Sequence, residues 1–157
     1  VTRERDRSAE LATRLLGQMK QGRSDAGDVA RGLADEIVAE HRSEVRADDM
    51  PARIAETVAV LKTEGILDGW ESTERGFLLR NHACPYRSAA GASDCVCESD
   101  RLAIEDLVGA AVQRVGSVVQ GDGVCEYIVN VTLPGSPTET TTRTGPNARG
   151  ASRDEKG

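Results

Sequence analysis

Residues 65–79 read GILDGWESTERGFLL, and within them the spacing of apolar residues changes from helical to extended. Ile66, Leu67 and Trp70, followed by Gly76, Phe77, Leu78 and Leu79, predict two short strands joined by a polar turn. Upstream of this point the period is that of helices. Leu11, Leu15, Leu16 and Met19 mark a first helix over residues 6–20, with Gly22 just past its end. Ser24 or Asp25 caps a second, carrying Val29, Leu33, Ile37 and Val38 to about Arg42. Asp49 before Met50 and Pro51 opens a third, with Ile54, Val58 and Leu61, which Gly65 closes. Downstream, residues 84–98 read as a loop, and Asp100 to Gln113 as a further helix through Leu102, Ile104, Leu107, Val108 and Ala111. Arg114 to Gln120 and Val124 to Val131 flank Gly121-Asp122-Gly123, a hairpin signal. In the last strand Cys125, Tyr127, Val129 and Val131 share one face. The expected class is α+β: three N-terminal helices, then a small antiparallel sheet with one further helix. Residues 1–133 form the folded domain, and residues 134–157, rich in Pro, Gly, Thr and Ser without periodic apolar positions, a disordered tail.

A chain of 157 residues is long enough for one domain with a real core. Aromatic residues are only Trp70, Phe77, Tyr86 and Tyr127, so Ala, Leu, Val and Ile must build that core. The net charge of −6 disfavours binding of nucleic acid by phosphate neutralisation. There is no apolar run of membrane-spanning length, and the charged N-terminus has no secretory signal. A cytoplasmic location follows as the expectation, and in a reducing compartment cysteines read as metal or redox ligands before disulfides.

All four cysteines, Cys84, Cys95, Cys97 and Cys125, fall in the second half of the chain. They belong to a loop, a helix start and the final strand, a distribution open to a structural metal, a cluster or a redox pair. The Cys-x2-Cys spacing of a zinc knuckle is absent, and Cys95 and Cys97 stand too close for an unstrained disulfide. Three arginines face seven carboxylates between residues 84 and 131, and acidic surroundings raise thiol pKa values. That argues against a nucleophilic cysteine and for a bound cation. The plain alternative is four small buried hydrophobes. His82, two residues before Cys84, and Asp94 and Glu98 are further donors by proximity, although surface positions explain them equally.

From about residue 4 to 131 the chain resembles the C-terminal sensor region of SufR-like regulators, winged-helix repressors of iron–sulfur cluster assembly operons. The resemblance rests on Cys84-Pro85-Tyr86, twelve residues to Cys97, and twenty-seven more to Cys125 in the run GDGVCEYIV, with Arg53 and Gly65 to Trp70 upstream. It implies that Cys84, Cys97 and Cys125 bind a [4Fe–4S] cluster; Cys95 lies outside the motif and is open as a fourth ligand, an alternative to Cys97 or a bystander. It also implies a homodimer that reads DNA through an N-terminal winged helix, for which residues before 4 leave no room. The expected function is therefore an iron- or redox-responsive sensor domain of a transcriptional repressor.

Two other classes stand beside this. One is a zinc- or thiol-based protein-interaction module using the same cysteines. The other is a compact winged helix over residues 26–80, whose recognition helix would set Arg53 and Lys62 against Glu56 and Glu64, few donors for reading bases. No Ser/His/Asp set, phosphate-binding loop or paired-carboxylate cleft is recognisable, so neither an enzyme nor a small-molecule substrate is expected.

Overall fold

A computed structural model describes residues 7–117 and 120–130; the expected tail and Val131 lie outside the described residues. The element order is α1 (Ser8–Lys20), α2 (Ala26–His41), a 3-10 turn (Arg42–Glu44), α3 (Met50–Thr63), β1 (Gly69–Thr73), β2 (Gly76–Asn81), α4 (Arg87–Ala92), α5 (Cys95–Val108), β3 (Val112–Gly116) and β4 (Cys125–Asn130). The fold is α+β, with one four-stranded antiparallel sheet in the order β1-β2-β4-β3.

Local chemistry sets the helix ends. Asp25 accepts hydrogen bonds from the Gly27 and Asp28 amides at the start of α2, and Asp49 does the same for Ala52 at the start of α3. α3 ends in a paired closure: Gly65 N–H donates to Lys62 O and Ile66 N–H to Leu61 O, with Gly65 at φ 74. This closure takes Ile66 and Leu67 out of the strand expected there; both are buried in the turn, and β1 begins only at Gly69. The interval 84–98, expected as a loop, instead holds α4 and the first turn of α5. Its small residues carry no amphipathic period to announce a helix. α5 also stops earlier than expected, at Gly109 in the left-handed conformation, and Gln113 belongs to β3. The hairpin expected around Gly121-Asp122-Gly123 does join β3 to β4, but across a longer connection with a bulge at Arg114/Gly116.

The inner sheet face presents Phe77 and Leu79 from β2, Val112 from β3, and Cys125, Tyr127 and Val129 from β4. Against it lie Ile104, Leu107 and Val108 of α5 and Ile54, Val58 and Leu61 of α3, completing the main core. α5 packs on α2, α3 and β3, so it is the element through which the helices and the sheet meet. Arg53 of α3 donates to Leu107 O at 2.8 Å, and Arg101 of α5 donates to Val112 O at 3.0 Å.

α1 docks differently from the sequence expectation. Leu11 is buried, but Leu16 and Met19 are exposed, and the fully buried position on the second turn of contact is Gln18. Gln18 donates to Glu36 at 2.7 Å and accepts from Arg23. Gly32 in mid-α2 permits this approach, because a Cβ there would stand 1.9 Å from Gln18 Oε1. The hairpin of the winged-helix alternative is no free wing: β2 is paired along its length with β4. The outward side of α3 carries Pro51, Ala52, Ala59, Lys62 and Thr63, a poor reading surface.

Candidate metal centre

Three separate elements bring the cysteines toward one end of the sheet. β4 starts at Cys125, which stands in register opposite Asn81, the last residue of β2. Asn81 is buried and bends the chain sharply: its Nδ2 donates to Gly65 O at 2.8 Å and its Oδ1 accepts from Ala83 N–H. Cys84 lies just beyond this bend. The following Pro85 seats against Gly65, where an added Cβ would approach its Cγ to 3.2 Å. Cys95 and Cys97 occupy the first turn of α5, where Ser93 Oγ accepts the Cys95 amide. A helix N-terminus favours a thiolate in its first turn.

All four cysteines are free thiols. Cys97 is buried in a small cluster with Leu11, Leu33, Tyr86, Ala90 and Val96, and Cys84 and Cys95 pack partly buried against it. Cys125 is buried in the adjoining main core beside Tyr127. The grouping thus sits at the seam between the two clusters.

The electrostatics tie three of the four together. Burial pushes the Cys84 thiol up to about 11; the Tyr86 amide, which donates to the sulfur, opposes this, while Asp100, Cys125 and Cys97 add to it. Burial likewise raises Cys97, against the pull of Arg114, with Asp100, Cys125 and Asp94 adding to the rise. Asp100, one helical turn beyond Cys97, is 8 % exposed and is pushed up to about 8 by burial, with Arg114 and Arg14 opposing. Burial raises Tyr86 to about 12 and Tyr127 well above its ordinary range, and Asp100 contributes to both. Arg114 reaches this place from the edge: it stands in register opposite the inward-facing Tyr127. Thiols, a carboxyl and phenols therefore crowd one buried region, each driven to its neutral form. Burial is the largest cause of each shift, and Arg114, Arg14 and Arg7 oppose it from nearby.

No three of these donors lie within 4.8 Å of one another among the described residues. A single tetrahedral zinc with thiolate ligands at about 2.3 Å holds its sulfurs about 3.8 Å apart, so no such cage stands ready here. In a cubane each thiolate binds a different iron, and its ligand sulfurs are spread more widely.

The further donors named from sequence are otherwise engaged. His82 is largely exposed and pairs with Asp68 at 3.0 Å. Glu98 is held by Arg101, which donates to it at 2.6 Å. Asp94 is exposed at the start of α5.

One compact donor set was not visible in the sequence, Glu40, His41 and Glu64. Both His41 nitrogens are taken, Nδ1 by Glu44 and Nε2 by Glu64, each at 2.8 Å. Arg7 lies 3.0 Å from Glu64, and Arg14 lies 3.3 Å from Glu40 and 3.6 Å from Glu64. Guanidinium groups already supply the positive charge, so this set is an ion-pair network fastening α1 to α2 and the end of α3. Its members are scattered from residue 7 to 64 with no local spacing to reveal them.

Among the described residues, no helix is long and apolar enough to cross a membrane. No family model, curated protein or solved structure matches the chain.

Proposed function

We propose that this chain is an iron–sulfur cluster-binding sensor domain of a transcriptional regulator, with Cys84, Cys97 and Cys125 as cluster ligands. The observation that supports the reading is that Cys84, Cys97 and Cys125, from a loop, a helix start and a strand, are partly or fully buried free thiols, with Cys97 and Cys125 among the charges that act on Cys84. The same three cysteines carry the resemblance to SufR-like sensors. When bound, a [4Fe–4S] cluster supplies a redox- and iron-sensitive tie between those elements.

The chain's own residues prepare for it. Asn81 and Gly65 hold the bend that presents Cys84. Burial holds Cys97 as the thiol, and Arg114 is the charge that pulls it back toward thiolate. Cys125 is anchored by the β2–β4 pairing. Ligation would tie the bend and the helix start to β4, and its loss would release that tie. In a homodimer this change would alter the spacing of two DNA-reading heads lying outside these residues, and DNA would be released. A cytoplasmic compartment fits the free thiols.

Anaerobic reconstitution with iron and sulfide tests the reading. A broad visible chromophore with iron and sulfide in cluster stoichiometry is expected, and Cys84→Ser, Cys97→Ser and Cys125→Ser should each abolish it. Stoichiometric zinc without any chromophore would establish the zinc module instead. A chromophore that survives Cys125→Ser would refute the ligand assignment.

A further inference from the structure

α1 carries two stripes of side chains at the same spacing, and they face the wrong way for a helix that only covers its own protein. The inner stripe runs from Arg7 through Leu11 and Arg14 to Gln18. Leu11 and Gln18 are buried, and Arg7 and Arg14 reach Glu64 at 3.0 and 3.6 Å. The outer stripe, Ala9, Ala12, Leu16 and Met19, is apolar throughout, and all of its residues are exposed. Leu16 is 65 % exposed and Met19 68 %, and only Val115 joins them among the exposed large apolar side chains of the described residues. An amphipathic surface helix ordinarily turns its apolar residues inward and its arginines outward. Apolar positions at alternating steps of three and four, turned to solvent instead, are the pattern of a seam between two helices.

The stripe also matches itself. When a second α1 lies antiparallel across it, with a two-fold axis at the level of Arg14, Ala9 stands opposite Met19 and Ala12 opposite Leu16. Each large side chain then meets a small one, the alternation that lets facing layers interdigitate. A parallel pair would set Leu16 against Leu16 and Met19 against Met19, and leave the alanine end loosely filled. The antiparallel arrangement brings Glu10, in the first turn of one copy, toward Lys20, in the last turn of the other, and does so twice by symmetry. It also sets each helix dipole against the opposite end of the other. Beside Met19 a groove of about 390 Å³, lined further by Gly22, Arg23, Ser24 and Val29, lies where the start of the other copy's α1 arrives. A foreign helix would need no such match within one stripe, whereas a two-fold contact requires self-complementarity.

We infer that the outer stripe of α1 is the contact surface for a second copy of this chain, with the two α1 helices antiparallel. The contact needs no metal and is independent of the cluster reading above. One helix on each side makes a small interface, so association is expected in the micromolar range.

The test uses the full chain without added metal, in a reductant that excludes disulfide links, studied by sedimentation equilibrium from about 1 to 500 μM. Wild type should pass from monomer to dimer in this range. Leu16→Glu and Met19→Glu should each raise the dissociation constant at least about tenfold. Thermal unfolding of the dilute variants should match wild type, because both side chains are exposed in the single chain. Orientation is read by zero-length carbodiimide cross-linking and peptide mass analysis. Within one helix, Glu10 and Lys20 are separated by about 15 Å of rise, so a link between them joins two copies and only antiparallel ones. That link is expected in wild type and should be lost in Leu16→Glu. A wild type that stays monomeric throughout the range would overturn the inference, as would a dimer that Leu16→Glu leaves unchanged or one lacking the Glu10–Lys20 link. A monomer whose unfolding temperature falls in Leu16→Glu would overturn it too, and would show that the chain's own residues cover the stripe.

Discussion

At the scale of single residues, the site depends on a few positions with no donor atom of their own. Gly65 is the clearest case. It holds φ 74 at the end of α3, its carbonyl accepts from Asn81, and its missing Cβ makes room for Pro85. An alanine there pays for the left-handed conformation and pushes on the proline next to Cys84. Gly65→Ala should therefore cost about 1 to 2 kcal/mol of stability, measured by urea unfolding. It should also increase the rate at which Cys84 reacts with a thiol reagent. A variant with unchanged unfolding and unchanged Cys84 reactivity would mean that the bend is held by other contacts. Asp100 illustrates the opposite situation. Its burial opposes stability, because the charged carboxylate is disfavoured there and its pKa is pushed up to about 8.

At the scale of elements, α1 is joined to the remainder through charge as much as through apolar contact. His41 sits between Glu44 and Glu64, with Arg7 and Arg14 closing the network. Burial works against the imidazolium, but its hydrogen bonds to Glu64 and Glu44 outweigh burial and raise its pKa above 6.5. A raised folded value means that this contribution is fully present below pH 6.5 and is lost as pH climbs through the raised value. Glu64 behaves in the reverse sense. Burial would raise it, but His41, Arg14 and Arg7 together lower it below 4.5, so its contribution is present above pH 4.5 and lost as pH falls through the lowered value. The network is therefore complete between those limits. Thermal unfolding followed by circular dichroism should show stability declining as pH rises above 6.5, and His41→Gln should flatten that decline. An alkaline decline of the same size in His41→Gln would assign it to other groups.

At the scale of the whole molecule, the sheet and α5 form a frame around the main core, which includes Cys125, while Cys84, Cys95 and Cys97 belong to a smaller cluster beside it. Reconstitution should accordingly protect the loop after β2, α4 and the first turn of α5 from hydrogen exchange, and leave α2 and α3 nearly as they are in the unloaded chain. Uniform protection across all helices would indicate instead that the whole fold depends on the cluster. Much of the frame was readable from sequence. Asp25, Asp49 and Gly65 mark helix ends through short-range hydrogen bonds and backbone conformation, and strict alternation in β4 places Cys125 and Tyr127 on one face. The first turn of α5 was not readable, because its apolar positions are few and its neighbours are small. Leu16 and Met19 also misled, since periodicity gives a stripe but not the partner that Gln18 and Gly32 provide. The sequence by itself determined the α+β class, the helix caps and the spacing of three cysteines, because each depends on interactions within a few residues. Only the tertiary structure decided that Asp100 is buried, that Arg114 pairs opposite Tyr127, and that Glu40, His41 and Glu64 are bound up with two arginines. Burial and long-range charge are properties of the packed chain, and no local pattern encodes them.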